Sequence, residues 1–170
     1  MRERPDASEH SEYYGRYVAL VPGDDILSAL DTERAVTMDL LRRITEERSL
    51  HRYAEGKWSI REVCVHLSDA ERVWAYRALR FARGDETELP GYEADDYVPP
   101  AAADSRSWSS LVEELAAVRG ATISLFRNLP AEAWLRRGVA DGQPASVRSL
   151  AYIIAGHEIH HRNVLRERYL

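Results

Sequence analysis

Four long segments of good helix propensity are separated by connections marked by proline and glycine. In the last three of them the inward-facing residues repeat in steps of three and four, the period of an α-helix. No convincing run alternates apolar and polar residues as a half-buried strand does. A chain of 170 residues can bury a sizeable core within one domain. We therefore expect an all-α fold, a four-helix bundle with one long crossover connection, in a single domain over residues 1–170, with residues 1–22 packed on the bundle.

Residues that cap helices mark where the four helices should begin. Asp24 or Asp25 is expected to begin the first helix, which should run to about Glu47. The strongest start signal is an S-x-x-E capping box formed by Ser59 and Glu62, which opens the second helix. Two further serines are expected to cap the third and the last helix: Ser107 and Ser146.

A long proline-containing stretch separates the second and third helices. Gly84 should end the second helix, and residues 85–106 are too many for a tight turn between neighbouring helices. This stretch is therefore predicted to be a crossover connection or a lid. After the third helix, we expect a short helical turn at residues 130–134 and a loop at residues 138–144.

Three of the six histidines lie near the C-terminus, in the last predicted helix. Leu150, Ile154, His157, His161 and Val164 repeat there in steps of four, three, four and three, which directs both histidines toward the bundle. Two residues four positions apart on a helix are separated by about 40° in azimuth and roughly 6 Å along the axis. Their imidazoles are therefore close enough to bind one ion.

The second helix directs a further histidine inward by the same criterion. Val63, Ala70 and Val73 lie at helical spacing from His66 and make its face apolar. A histidine from a facing helix would complete a three-nitrogen site with open positions, as in catalytic sites. His160 flanks the stripe, and an i, i+3 pair with its neighbour at position 157 remains an alternative.

An inward histidine is most often a core residue with a satisfied hydrogen bond. Three of them favour metal binding, because burying each without a partner would be unfavourable by on the order of a few kcal/mol. Neutral imidazoles suit zinc, nickel, copper and iron, whereas calcium and magnesium are poor candidates. Three carboxylates lie close enough in sequence to act as outer-shell acceptors: Glu62, Asp69 and Glu158. We nevertheless expect Glu158 to pair with Arg162 on an exposed face, and Glu33 to be solvated.

The composition of the chain limits its possible binding partners and its location in the cell. The net charge is −5 and charges of both signs are interspersed, which makes nucleic acid a poor partner. No apolar run approaches the roughly 18 residues of a membrane span, and the N-terminus lacks the apolar core of a secretory signal. Cys64 is the only cysteine and fits a small buried side chain better than a nucleophile. From this composition we expect a cytoplasmic protein, and the open positions of the predicted metal site indicate a small-molecule substrate.

Three segments carry a resemblance to a known family. Residues 56–67 read GKWSIREVCVHL, residues 155–161 read AGHEIHH, and a tyrosine-rich stretch lies at residues 13–17. Together they resemble the DinB-like (YfiT-like) superfamily of metal-binding four-helix bundles, over nearly the whole chain. The resemblance implies a divalent ion, commonly nickel or zinc, bound by His66, His157 and His161, and it implies a homodimer.

The resemblance also implies several activities without choosing among them. Family members with assigned reactions resemble thiol S-transferases or isomerases that use a low-molecular-weight thiol such as mycothiol, bacillithiol or glutathione, and others resemble metal-dependent hydrolases. Our first hypothesis is thiol transfer, in which the metal lowers the pKa of the thiol. The alternatives are hydrolysis by a metal-activated water with a carboxylate base, and a dimeric binding module with a structural or sensory metal. The sequence names no catalytic or thiol-binding residue.

Overall fold

Long helices form most of the molecule in the computed structural model, which describes residues 3–170. The α-helices are α1 (Glu12–Val18), α2 (Ile26–Arg42), α3 (Ile60–Ala82), α4 (Ala94–Tyr97), α5 (Trp108–Arg127) and α6 (Val147–Val164). Short 3₁₀ turns lie at Ala7–Glu9, Arg48–Leu50, Ala103–Ser105 and Ala131–Leu135, and a π-helical turn at Leu165–Tyr169 follows α6. The helices α2, α3, α5 and α6 pack together as a four-helix bundle. The predicted fold class is therefore confirmed.

The capping residues predicted from the sequence begin the long helices. The Ser59 hydroxyl accepts a hydrogen bond from the Glu62 amide at 3.1 Å, and the Glu62 carboxylate accepts one from the Ser59 amide at 2.7 Å. Asp25, Ser107 and Ser146 each accept an amide hydrogen bond at the start of a helix. These contacts satisfy backbone donors that the first helical turn leaves free.

The first long helix ends earlier than predicted, at Arg42 instead of about Glu47. Glu46 is used in a tertiary contact, because its carboxylate accepts a hydrogen bond from the Trp108 amide at 2.9 Å and pairs with the Arg61 guanidinium. These contacts join the segment that follows α2 to the starts of α3 and α5. Helix propensity alone predicts a longer helix, because it takes no account of contacts with residues distant in sequence, such as those of Glu46.

A hairpin replaces the loop predicted at residues 138–144. Strands β1 (Arg137–Ala140) and β2 (Gln143–Ser146) pair antiparallel, and the turn residues Asp141 and Gly142 have positive φ angles of 58° and 65°. Positive φ at both central residues is typical of a type I′ turn, for which Asp-Gly is a favoured sequence. The expectation of no strand is wrong here, because neither four-residue strand alternates apolar and polar residues.

The N-terminal segment packs on α6 and contains a helix that the sequence analysis did not predict. Tyrosine and glycine are weak helix formers, so α1 depends on its packing against α6. The Arg4 guanidinium donates hydrogen bonds to the carbonyls of Val18 and Val21, at 2.6 and 2.7 Å. Arg148 on α6 binds the buried Glu9 carboxylate, with one contact at 2.8 Å. Arg148 therefore fastens the segment to the bundle, whereas Arg4 holds the two ends of the segment together.

The contact between α1 and α6 depends on a glycine beside a predicted metal ligand. A Cβ atom at Gly156 would lie 1.9 Å from the Tyr17 carbonyl oxygen. We expect Gly156→Ala to lower the free energy of unfolding by roughly 1–3 kcal/mol, because the backbone of α1 must move away. Urea denaturation of the variant would measure this change.

A second helical glycine provides the matched control for that substitution. A Cβ atom at Gly120 on α5 would approach no atom closer than 3.9 Å, so Gly120→Ala should be neutral or stabilise by up to about 1 kcal/mol. Equal stabilities of the Gly156→Ala and Gly120→Ala variants would contradict the proposed close approach.

Two buried carboxylates differ from the sequence interpretation. Glu33 was expected in solvent but is 7% exposed and pairs with Arg162, which also donates to the Thr37 hydroxyl at 3.1 Å. Glu158 was expected to pair with Arg162 on an exposed face, but it is buried and binds Arg119 instead. The i, i+4 rule considers only neighbours on one helix, whereas these partners belong to other helices.

Over residues 3–170, no helix combines the length and the apolarity required to cross a bilayer.

Candidate metal centre

The three histidines predicted as metal ligands converge between α3 and α6. His66 comes from α3, and His157 and His161 come from successive turns of α6. One nitrogen from each ring can be chosen so that all three lie within 4.8 Å of one another. The Nε2 atoms of His66 and His157 are 3.0 Å apart. The apolar stripes of the two helices face each other and therefore bring these side chains together.

The donor set fits a divalent transition-metal ion. Two nitrogens bound tetrahedrally at about 2.0–2.1 Å from zinc are separated by about 3.4 Å, which is close to the spacing of the His66 and His157 pair. Three imidazole nitrogens suit zinc, nickel, copper or iron and are poor ligands for calcium and magnesium. The arrangement also leaves coordination positions for other molecules.

The protonation state of the three rings favours coordination. Burial lowers the pKa of His66 to about 4, and the charge of His160 adds to this effect while that of Asp95 opposes it. Burial and the neighbouring histidines hold the pKa values of His157 and His161 well below 6.5. The rings are therefore neutral near pH 7, which is the form that binds metal ions.

The lowered pKa values predict an acid-sensitive metal-free protein. Between pH 6.5 and about 4 the unfolded chain binds a proton at His66 that the folded chain excludes, so stability must fall as the pH is lowered through this window. At about 1.4 kcal/mol per pKa unit, His66 alone accounts for about 3 kcal/mol. Urea denaturation of chelator-treated protein at several pH values measures the loss. We expect a shallower dependence for His66→Gln, and equal slopes for the two proteins would contradict the assignment.

His160 lies beside the centre and is not one of the three converging residues. Its ring centroid is 5.0 Å from that of His161 and 5.5 Å from that of Tyr17. The side chain is half-buried and lines the same cavity as the three converging histidines. The structure thus agrees with the interpretation of His160 as a flanking residue.

The predicted outer-shell carboxylates make other contacts. Glu62 serves the capping box and pairs with Arg52, and Asp69 pairs with Arg72. Glu158 binds Arg119. Among residues 3–170, no carboxylate accepts a hydrogen bond from the three converging rings. Sequence proximity to a ligand was a poor guide here, because adjacent residues on a helix point in different directions.

A cavity of about 780 Å³ opens over the three histidines. Its walls are rich in aromatic residues from separate parts of the chain: Tyr13, Tyr14, Tyr17, Trp58, Trp74 and Tyr92. Trp74 and Tyr17 contact the His157 ring edge to face, with centroid distances of 4.7 and 5.3 Å. Trp58 lies 4.9 Å from the His66 ring by the same measure. The histidines therefore form the floor of a space large enough for a small molecule.

The long connection reaches this cavity because the hairpin supports it. The Leu89 amide donates to the Val139 carbonyl at 3.0 Å, and the Asp141 amide donates to the Leu89 carbonyl at 2.9 Å. Gly91 lies against Asp141, where a Cβ atom would be 2.1 Å from the carboxylate. Residues 92–95 then line the cavity. Sequence analysis identified the connection as a lid candidate but missed the hairpin, whose Asp-Gly turn was the available signal.

Charged residues also line the cavity. The Arg16 guanidinium lies over the Tyr13 ring at 3.9 Å and donates to the Tyr17 hydroxyl at 2.9 Å. Four exposed carboxylates also line the cavity: Glu12, Glu93, Asp95 and Asp141. Among residues 3–170, none of these four carboxylate groups has an ion-pairing partner within 4.0 Å. They remain available to a ligand.

Comparison with known proteins gives one family and several structures of the same fold. The DinB superfamily matches residues 29–165. YfiT from Bacillus subtilis, described as a probable metal-dependent hydrolase with an unusual four-helix bundle topology, is similar with a TM-score of 0.71 and 17% identity, over 95% of this chain and 91% of YfiT. No curated protein matches the chain in sequence.

Two further structures share the fold. The DinB-like protein YjoA from Bacillus subtilis has a TM-score of 0.60 and 21% identity, over 84% of this chain and 87% of YjoA. A mycothiol-dependent maleylpyruvate isomerase has a TM-score of 0.68 and 12% identity, over 80% of this chain and 57% of the isomerase. At these identities the similarities establish the fold alone.

Proposed function

Because this chain belongs to the DinB superfamily, we propose that His66, His157 and His161 bind a divalent transition metal, nickel or zinc, and that the protein is a metal-dependent enzyme of the thiol S-transferase type. The observation that carries this proposal is the convergence of three neutral imidazoles on the floor of an aromatic cavity. A purely structural site has no need of an open cavity. A related fold occurs in a mycothiol-dependent isomerase.

In this proposal the metal and the cavity residues have separate tasks. A bound divalent ion supplies Lewis acidity, which lowers the pKa of a thiol and makes it nucleophilic near pH 7. Trp58 and Trp74 pack against the His66 and His157 rings, and their role in this proposal is to limit the access of water to the metal. Arg16, held between two tyrosine rings, is placed to orient an anionic group of the thiol cofactor or the substrate.

A thiol titration of the cobalt-substituted protein tests this proposal. Glutathione, bacillithiol and mycothiol are each added, and the disulfide form of the same compound serves as the control because it lacks the thiol. We expect the visible spectrum of cobalt to change with at least one thiol and to remain constant with its disulfide. A constant spectrum at saturating concentrations of all three thiols would contradict thiol transfer.

Hydrolysis is the second candidate, and Asp95 is the residue that favours it. Asp95 lines the cavity, and its charge opposes the effect of burial on the pKa of His66. It could therefore act as the general base for an attacking water. YfiT, which shares the fold, is described as a probable metal-dependent hydrolase. A hydrolytic activity that is lost in Asp95→Asn with metal content unchanged would select this alternative over thiol transfer.

The remaining alternative is a non-enzymatic dimeric module with a structural or sensory metal. The main proposal also includes a homodimer, a cytoplasmic location and a small-molecule substrate, whereas the module would turn over no substrate. Sedimentation velocity on the purified protein would measure its oligomeric state. Turnover of any substrate that depends on both metal and cavity residues would exclude the module.

A further inference from the structure

We propose that Arg119 is a positioning residue that holds the two ligand-bearing helices in the geometry required for metal binding. This inference rests on the proposed metal site. Arg119 is 2% exposed, and its two carboxylate partners, Glu71 and Glu158, are each 3% exposed. The guanidinium therefore forms a buried cluster with two acids, which we call the Arg119 triad.

The triad joins the two helices that carry the three histidines, α3 and α6, through an arginine on a third helix. Arg119 lies on α5, which supplies no ligand. Its Nε and Nη2 atoms donate to the Glu71 carboxylate on α3 at 2.9 and 2.8 Å. Its Nη1 donates to the Glu158 carboxylate on α6. One rigid, planar side chain thus fixes α3 relative to α6 through two charged contacts.

The attachment points are close to the ligands along each helix. Glu158 directly follows His157 on α6, and Glu71 lies little more than one turn beyond His66 on α3. A shift of either helix at the triad would therefore change the separation of the His66 and His157 nitrogens, which is 3.0 Å. Metal binding requires such separations to be held within a few tenths of an ångström.

Stability alone is a weak explanation for such a cluster. Apolar residues of similar volume often replace a buried ion cluster without loss of stability, so burial of charge does not by itself indicate a stabilising role. A second buried pair provides the comparison, because Arg162 on α6 binds Glu33 on α2. It involves the same ligand-bearing helix but joins it to a helix without a ligand. The second pair should therefore matter less for metal affinity.

Charge-removing variants of the two clusters test the positioning role. The first carries Arg119→Met, Glu71→Gln and Glu158→Gln together, and the matched control carries Arg162→Met and Glu33→Gln. Neither leaves an unpaired buried charge. The readouts are the zinc Kd from chelator competition and the visible spectrum of the cobalt form.

We expect the triad variant to bind zinc about 10- to 100-fold more weakly than wild type, with an altered cobalt spectrum. The control should stay within about threefold of wild type, with an unchanged spectrum. Wild-type affinity in a folded triad variant, or equal weakening in the triad variant and the control, would overturn the inference.

A second variant covers the case in which the triad variant does not fold. Arg119→Lys keeps the charge but loses the planar fork, so it should bind zinc several-fold more weakly than wild type. An unchanged zinc Kd in Arg119→Lys would overturn the inference. The zinc Kd of wild type distinguishes failure of the positioning role from failure of the metal site. A wild type that binds no metal refutes the metal site itself.

Discussion

Loading the three-histidine centre with zinc or nickel should raise the free energy of unfolding by about 4 kcal/mol when the free ion is at about a thousand times its Kd. The reason is that the three nitrogens lie within 4.8 Å of one another only in the folded chain, so the ion binds the folded state preferentially. For a domain of this size, each kcal/mol corresponds to about 2–4 °C in Tm, which gives an increase of about 8–16 °C. Calorimetry of metal-free and metal-loaded protein measures it.

The control for metal loading is the removal of one ligand. His66→Ala should show almost no increase in Tm on addition of the same ion, because two nitrogens remain on one helix and the third is lost. His51→Ala changes a histidine outside the centre and should respond like wild type. Equal metal-induced shifts in wild type and His66→Ala would show that the ion binds elsewhere.

The second large change in stability is expected from breaking a buried ion pair that joins α6 to α2. Arg162→Met should lower the free energy of unfolding by about 3–5 kcal/mol, because it leaves the Glu33 carboxylate, 7% exposed, without its charged partner. Thr37 also loses the hydrogen bond from Arg162. Urea denaturation at pH 7 measures the change.

Two further variants show whether the unpaired charge is the cause. Adding Glu33→Gln to Arg162→Met removes the buried charge and should restore most of the lost stability. Arg127→Met breaks an exposed pair between Arg127 on α5 and Asp31 on α2, and should change stability by less than about 1 kcal/mol. A loss in Arg127→Met as large as that in Arg162→Met would refute the explanation by burial.

The sequence predicted the parts of the fold that depend on local pattern. The capping box at Ser59 and Glu62 and the serine caps of α5 and α6 are formed as predicted. The three candidate ligands come together because each lies on an apolar stripe, and packing of the bundle turns such stripes inward. Helix period and capping chemistry are short-range properties, so a single sequence contains them.

The features that were missed depend on contacts between distant residues. Glu33 is buried because Arg162 approaches it from another helix, and no local rule relates positions so far apart. The early end of α2 likewise follows from the contact of Glu46 with Trp108. Trp58 and Tyr92 were not assigned to the cavity, because only the packed structure brings their segments over the histidines.

The metal content of purified, untagged protein tests the central claim most directly. Mass spectrometry would compare wild type with four single variants: His66→Ala, His157→Ala, His161→Ala and His160→Ala. We expect about one equivalent of a transition metal in wild type and in His160→Ala, and loss of the metal in the other three. A wild type without metal after incubation with nickel and zinc, or a His160→Ala variant as depleted as the others, would contradict a centre built from His66, His157 and His161.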